Sequence, residues 1–249
     1  MTRKTVIYII AAILCISAVS CKKDSTIQYN NATMGNVTDG TFTSDQGNIF
    51  NVVEQTCNGK LDTMKRAFVV CDVLNKTADG AENEYDVRLK TLATVLTKNI
   101  IGVGADADES NFVQDPLELE YIWIAGGYIN MFVMFPIQIN SKTAHLINMA
   151  QQPTEKDGTY VLHLCHNAFG ETLANGKQFV LGGGYVSFPI SSFVQEDEAK
   201  VKIRWNRHLS TGTALSQESR KDSCQLVYKK GAYDHVPSAL SSKTKAILQ

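Results

Sequence analysis

The run LELEYIWIAGGYINMFVMFPIQI, from Leu117 to Ile139, leaves this chain few choices. In its first half Leu117, Leu119, Tyr121 and Trp123 alternate with Glu118, Glu120, Ile122 and Ile124. That is the period of a strand, and the switch from Glu to Ile on its second face predicts that this face becomes buried partway along. Gly126-Gly127 then permits a tight turn or bulge, and a second strand is expected from Tyr128 to about Ile139. Helical periodicity is scarce elsewhere, so the fold class expected is all-β.

The same two-residue period recurs upstream. NVTDGTFTSDQGNIFNVVEQ places the turn dipeptides Asp39-Gly40 and Gly47-Asn48 between short β-prone runs, and RAFVVCDVL and YDVRLKTLATVL follow. Ala67, Val69, Cys71 and Val73 point one way, as do Val87, Leu89 and, after the polar Thr91, Ala93 and Val95. Four or five short strands in about seventy residues predict a small OB-like barrel. IIGVGADADESNFVQDP breaks the pattern with glycine, acids and Pro116 and reads as a linker. Its Asp106, Asp108 and Glu109 lack the twelve-residue loop of a calcium site and are expected to be solvated. Beyond Tyr128, AHLINMA, TYVLHLCH, KQFVLGG with YVSFPI, KVKIRWNR and CQLVYKK are strand candidates, and their number predicts a sandwich. The organisation expected is an OB-like domain at 35–105, a linker at 106–116, a β-sandwich at 117–231 and a tail at 232–249.

The N-terminus answers a different question. Arg3 and Lys4 precede an uncharged apolar stretch from Val6 to about Val19, which ends in Ala18-Val19-Ser20-Cys21. Residues 1–20 read as a signal peptide rather than structure. Small residues three and one positions before a cysteine resemble the lipobox of bacterial lipoproteins. The resemblance implies that Cys21 receives a diacylglycerol on sulfur and an acyl chain on its amine, with 21–34 as a polar tether. Several acyl chains together hold a protein stably at a membrane surface. The expected location is the bacterial envelope, at the outer membrane, facing the periplasm or the cell surface.

Removing residues 1–20 takes away Arg3 and Lys4 and no acid, so the formal net charge falls by two, from -1 to -3. No basic surplus supports nucleic-acid binding, and the Phe and Tyr residues of 29–105 lack the basic groove that single-strand binders add to stacking rings. Export makes disulfides possible for Cys57, Cys71, Cys165 and Cys224. Buried free thiols are favoured, because Cys71 lies within an apolar strand where a thiol behaves as a small hydrophobe.

Candidate chemistry is sparse. In His163-Leu164-Cys165-His166 the first and third side chains share a strand face and His166 points away. His145 on the neighbouring strand offers a third ligand at most, short of a structural zinc site. A Cys-His nucleophile is equally poorly placed, since side chains two apart on a strand stand parallel at roughly 7 Å. Gly182-Gly183-Gly184-Tyr185 lacks the Gly-Lys-Ser/Thr ending of a phosphate loop. In KVKIRWNRH, Val201, Ile203 and Trp205 take one face, and Lys202, Arg204, Asn206 and His208 take the other. Lys202, Arg204 and His208 are the candidate ligand-binding residues, for an anionic partner. No catalytic residue, metal or cofactor is assigned.

DGTFTSDQGNIFNVVEQ, RAFVVCDVL and above all EYIWIAGGYINMFVMF resemble the NigD-like lipoproteins, whose most specific element here is the W-x-x-G-G-Y-x-N core at Trp123, Gly126, Gly127, Tyr128 and Asn130. The resemblance implies an OB-like N-terminal domain followed by a β-sandwich. It implies no catalytic residue, and links the family by name to a bacteriocin gene cluster where an immunity role has been suggested. The expected function is therefore a non-enzymatic envelope lipoprotein that binds another envelope or extracellular component, protein or glycan. The alternatives are glycan capture through exposed aromatics and an envelope hydrolase, which needs only two suitably spaced carboxylates.

Overall fold

The computed structural model describes residues 32–102, 108–171, 173, 178–211 and 214–232, and every long element in it is a strand. The signal peptide, Cys21, most of the tether and the tail lie outside the described residues. The first five strands are β1 (Thr33–Thr38), β2 (Thr41–Ser44), β3 (Ile49–Gln55), β4 (Arg66–Lys76) and β5 (Glu84–Thr97). They run in the order β3-β2-β1-β4-β5, and a parallel pairing of β3 with β5 closes the ring. Five strands closed in this Greek-key order form an OB-like barrel. Its core holds Phe42, Phe50, Ala67, Val69, Cys71, Val73, Val87, Leu89 and Leu92, so the alternation read in RAFVVCDV marks the barrel interior.

The remaining strands are β6 (Ile101–Gly102), β7 (Glu118–Ala125), β8 (Tyr128–Gln138), β9 (Leu146–Gln152), β10 (Tyr160–Asn167), β11 (Phe179–Pro189), β12 (Glu198–Thr211) and β13 (Ala214–Lys229). One sheet runs β5-β11-β8-β7 and the facing sheet runs β13-β12-β10-β9-β6. Ile129, Met131, Val133, Met149, Leu162, Leu164, Phe188, Val201 and Ile203 fill the space between them. The end of β5 leaves the barrel and pairs with β11 at Val95–Thr97, so a single strand belongs to both units.

Several boundaries differ from those read in the sequence. β1 begins at Thr33, with Met34 buried, inside the stretch assigned to the tether. Ile101–Gly102, assigned to the barrel, pairs with β9 in the sandwich. The linker is docked along β10: the His166 amide donates to the Val113 carbonyl and the Asp115 amide to the His166 carbonyl. β13 starts ten residues before Cys224, because Ser219–Ser223 of the polar SQESRKDS stretch, and Ala214-Leu215 before it, pair with β12.

Two bulges explain where simple alternation fails. Val70 pairs with Thr91 but Cys71 pairs with Leu89, leaving Lys90 as the extra residue. Beyond it Leu92 still enters the barrel, whereas Ala93 and Val95 turn toward the sandwich. In β7, Leu119 pairs with Val133 and Tyr121 with Phe132, so Glu120 is the extra residue. Leu117 and Leu119 therefore share the sandwich core with Ile122 and Ile124, while Tyr121, Trp123 and Ala125 face the barrel. A bulge re-aims every side chain after it, which is why Leu117, Leu119, Tyr121 and Trp123 do not form one face.

A third core joins the units. Phe68, on the outer face of β4, stacks on Tyr185 of β11 at 4.2 Å with rings 10° apart, and Trp123, Phe132, Met34 and Val95 surround them. Beside them lies Arg66, 1 % exposed. Its Nε donates to Ser187 Oγ (3.1 Å), Nη1 to Asn36 Oδ1 (3.0 Å) and Asp45 Oδ1 (2.8 Å), and Nη2 to Asp45 Oδ2 (2.6 Å) and Asn130 Oδ1 (3.0 Å). All five guanidinium donors are thus used. The Tyr128 ring covers the guanidinium at 4.0 Å. Burial pushes the Asp45 carboxyl above its ordinary value, against the lowering by Arg66 and Asn130.

The W-x-x-G-G-Y-x-N core acquires a physical meaning from this cluster. Gly126 and Gly127 have φ of 61° and 79°, and Ala125 pairs with Tyr128. This is the two-residue hairpin turn that demands positive φ at both positions. A Cβ on Gly126 would collide with the Asp45 carboxylate. Turn, ring and amide together form the sandwich's half of the Arg66 socket. Removing one partner of a buried ion pair leaves an uncompensated charge, at a cost of about 3–5 kcal/mol. Arg66→Met is expected to lower stability by that amount in urea unfolding, and adding Asp45→Asn to recover part of it. A double variant no more stable than Arg66→Met would contradict the assignment.

Candidate functional site

β10 and β12 are parallel neighbours only from Tyr160 to His163, against Val201 to Arg204. Beyond that point the docked segment Val113–Leu117 enters between them: Gln114 bridges to His166, and the Leu117 amide donates to the Asn206 carbonyl (3.0 Å). Asn206 Nδ2 donates to the Gln114 carbonyl (2.7 Å). The strands part because the 3-10 turn at Glu109–Phe112, capped by Asp108 on the Ser110 amide, steers the segment onto the sheet. Two cavities border this wedge.

The first, of about 440 Å³, is lined by Gln114, His163, Arg204, Trp205, Lys221, Asp222 and Ser223. His163, Arg204 and Ser223 stand in one transverse row of the sheet, and Asn206 and Lys221 in another two residues along β12. Three polar atoms in this neighbourhood are buried with no hydrogen-bond partner among the described residues: His163 Nε2, Trp205 Nε1 and Asn206 Oδ1. Such groups cost about 1–3 kcal/mol each when unsatisfied. Burial lowers the His163 pKa, and Lys221 and Arg204 lower it further, so the ring is neutral at pH 7.

The sequence-predicted cations are only partly brought together. Lys202 Nζ and Arg204 Nη2 both reach Glu155 Oε1, at 3.0 and 2.9 Å, so one carboxylate answers both. His208, expected on the wet face with them, is 7 % exposed and lines the second cavity instead. The docked Asp115-Pro116, which line that cavity with it, cover it there. Lys221, by contrast, makes no ion pair among the described residues. The apolar run CQLVYKK marks its strand only from Cys224, so Lys221 falls outside the strand expected from sequence.

The second cavity, of about 310 Å³, is lined by Asp115, Pro116, Pro136, His166, Ala168, Glu171, Leu173 and His208. Its polar groups are engaged with one another. His166 Nδ1 lies 3.1 Å from the Pro116 carbonyl, and its Nε2 lies 2.9 Å from His145 Nδ1. His145 Nε2 is 3.3 Å from Glu171 Oε2, and Phe135 stacks on the His145 ring and lies tilted against that of His166. Ser141 Oγ donates to Glu171 and holds its carboxyl below the usual range. His145 thus pairs with His166 rather than completing a set with His163 and Cys165. Among the described residues no three His, Cys, Asp or Glu side chains gather as metal ligands. The four cysteines of the described region are separate thiols, and burial pushes Cys165 up to about 11 and Cys71 to about 12, far from nucleophilic.

Burial lowers the His166 pKa to about 4, with the neighbouring His145 adding to the effect. Below its unfolded value of about 6.5 the unfolded chain therefore binds a proton that the folded chain refuses. Stability from this group is full above pH 6.5 and is lost as pH falls toward 4, on the order of 3 kcal/mol. His166→Gln is expected to flatten the stability profile between pH 6.5 and 4. An unchanged acid slope in chemical denaturation would contradict this.

Residues 99–217 match the model of the NigD-like C-terminal β-sandwich domain. No curated protein matches the chain. Among solved structures, a toxin-related protein of Parabacteroides distasonis is similar at 23 % identity, with 86 % of this chain and 96 % of that one covered and a TM-score of 0.55. A NigD-like immunity protein of Bacteroides caccae is similar at 17 % identity, over 77 % and 89 %, with a TM-score of 0.53. A candidate lipoprotein of Bacteroides fragilis is similar at 14 % identity, over 80 % and 97 %, with a TM-score of 0.56. At such identities the likeness is one of fold, whereas the domain model identifies sequence kinship. Residues 99–217 of this chain are thus identified as a NigD-like C-terminal β-sandwich domain.

Proposed function

We propose that this protein is a lipid-anchored envelope protein that binds another envelope or extracellular component without altering it, in an immunity-type role toward a secreted toxin. The observation that carries the reading is the joining of a lipobox ending at Cys21 to two β units locked together by a fully hydrogen-bonded buried arginine. A rigid block on a membrane tether suits recognition of a partner. The fold shared with the Bacteroides caccae immunity protein and the Bacteroides fragilis candidate lipoprotein supports it.

The hydrolase reading needs two carboxylates free to act on a substrate. Asp115 and Glu171, the acids of the second cavity, are occupied: Asp115 accepts from the Ala168 amide (2.8 Å), and Glu171 accepts from Ser141, the Gln138 amide and His145. They hold the local backbone, which favours binding over turnover. The placement proposed is the outer membrane, through acyl chains on Cys21.

Cys21→Ala is expected to move the protein from the membrane pellet to the soluble fraction, and persistence in the pellet would refute the anchor. Deletion of the gene is expected to sensitise cells to toxin-secreting neighbours in co-culture, with rescue by the wild-type chain and not by Cys21→Ala. Unchanged sensitivity of the deletion strain would refute the immunity role.

A further inference from the structure

We infer that the fork where β5 and β11 diverge is a docking site for an extended peptide of a partner protein, which adds a strand to the free edge of β11 and seats an apolar side chain in the cavity at the fork. The inference rests on the binding reading above and names the kind of partner; it does not need that partner to be a toxin.

The backbone comes first. β5 and β11 run parallel and pair only at residues 95–97 against 185–187. N-terminal to that pairing they part, because β5 belongs there to the barrel wall and pairs with β3 as far as Leu89. Over residues 91–94, β5 therefore has β4 on one side and no strand on the other among the described residues. β11 is in the same state over residues 179–184, with β8 on one side only. Each bank of the fork thus offers backbone N–H and C=O groups to a further strand. The banks start at pairing distance and widen, and one added strand, about 4.8 Å from each neighbour, is what such a gap takes in.

A third cavity, of about 340 Å³, lies at this fork. Ala93 and Thr94 line it from one bank, Gly183 and Gly184 from the other, and these would pair next if the register continued. Phe132 and Tyr185 line it too, so it is continuous with the apolar core that joins barrel to sandwich.

The character of the edge decides the occupant. Natural edges are guarded by charges, proline or bulges. Residues 179–184 read FVLGGG, with no charge and no proline, and their pairing with β8 has no register shift. Val180 and Leu181 on this edge strand are 52 % and 49 % exposed. Gly182 and Gly183 are pressed against β8, where a Cβ would collide with Ile137 and with the Val133 carbonyl. Such glycines let another backbone come close. An added strand pairs through its backbone and is selected by alternate side chains entering pockets. A second copy fits poorly, since its own β11 already carries β8 along one edge. A lone peptide has both edges bare, one for each bank. An acyl chain would fill the cavity and leave the backbone of both banks unanswered.

The probe is the fluorescein-labelled peptide STVTFTVS, titrated into the full-length chain in detergent and read by fluorescence anisotropy against detergent alone. Hydrogen exchange with mass spectrometry locates the bound peptide. Saturable binding is expected, with slowed exchange at residues 179–185 and none at β13. Alternate N-methylation of the peptide removes backbone donors and no side chain, and is expected to weaken binding about tenfold or more. Leu181→Lys, a guarding charge on an exposed position, is expected to do the same. Equal affinity of the N-methylated peptide would reduce the site to an apolar pocket and overturn strand pairing. Absence of saturable binding, wild-type affinity in Leu181→Lys, or peptide-free protection of residues 179–185 that grows with chain concentration, the mark of a second copy, would each overturn the proposal as well. None of these outcomes touches anchoring by Cys21 or the co-culture phenotype, so this inference and the reading beneath it fail separately.

Discussion

One guanidinium organises this molecule. Arg66 begins β4 at the mouth of the barrel and is answered by Asp45 from the β2-β3 turn, by Asn36 from β1, and by Tyr128, Asn130 and Ser187 from the sandwich. A buried charge tolerates only near-perfect partnering, because the desolvation cost falls due whether or not the partners are in place. Any relative slip of the two units would leave donors unpaired. The apolar contacts of Phe68, Tyr185, Trp123 and Phe132 supply attraction, but apolar contacts alone are non-directional. The ion pair fixes the angle at which the surfaces meet.

From that fixed angle the rest follows along the chain. β5 passes from barrel to sandwich without a break, and its three-residue pairing with β11 sets the edge of the upper sheet. The chain then crosses to β9 through Ile101–Gly102 and lays its acidic segment on β10, prising β10 from β12. Two cavities of the sandwich border this wedge. They differ in how the nearby polar groups are settled: in one the imidazoles and carboxylates satisfy each other, and beside the other the buried Trp205 Nε1 and His163 Nε2 have no hydrogen-bond partner among the described residues.

Much of the architecture was legible in the chain because burial imposes a period on apolar residues. Ala67, Val69, Cys71 and Val73 all enter the barrel core, and the Gly126-Gly127 turn sits between two strands as read. The bulges at Lys90 and Glu120 were not legible, since an extra residue shows only against a partner strand. Strict alternation therefore puts Trp123 with Leu119, though the two face different cores. Nothing local marks Arg66, which follows Lys65 and reads as an ordinary cation ahead of a strand. The site was half legible: Arg204 and Lys202 stand where alternation puts them, but their neutralisation by Glu155 depends on a turn nearly fifty residues upstream. His163 and Lys221 meet Arg204 only through the order of strands in the sheet.

The central claim is that barrel and sandwich form one cooperative body held at the Arg66 socket. Native-state hydrogen exchange of the full-length chain, followed by mass spectrometry across a urea series, tests it most directly. The account predicts that core amides of the barrel, such as those of β4, and of the sandwich, such as those of β8, open with one shared free energy and one shared urea dependence. Barrel amides that open separately from sandwich amides in the wild-type chain would contradict it.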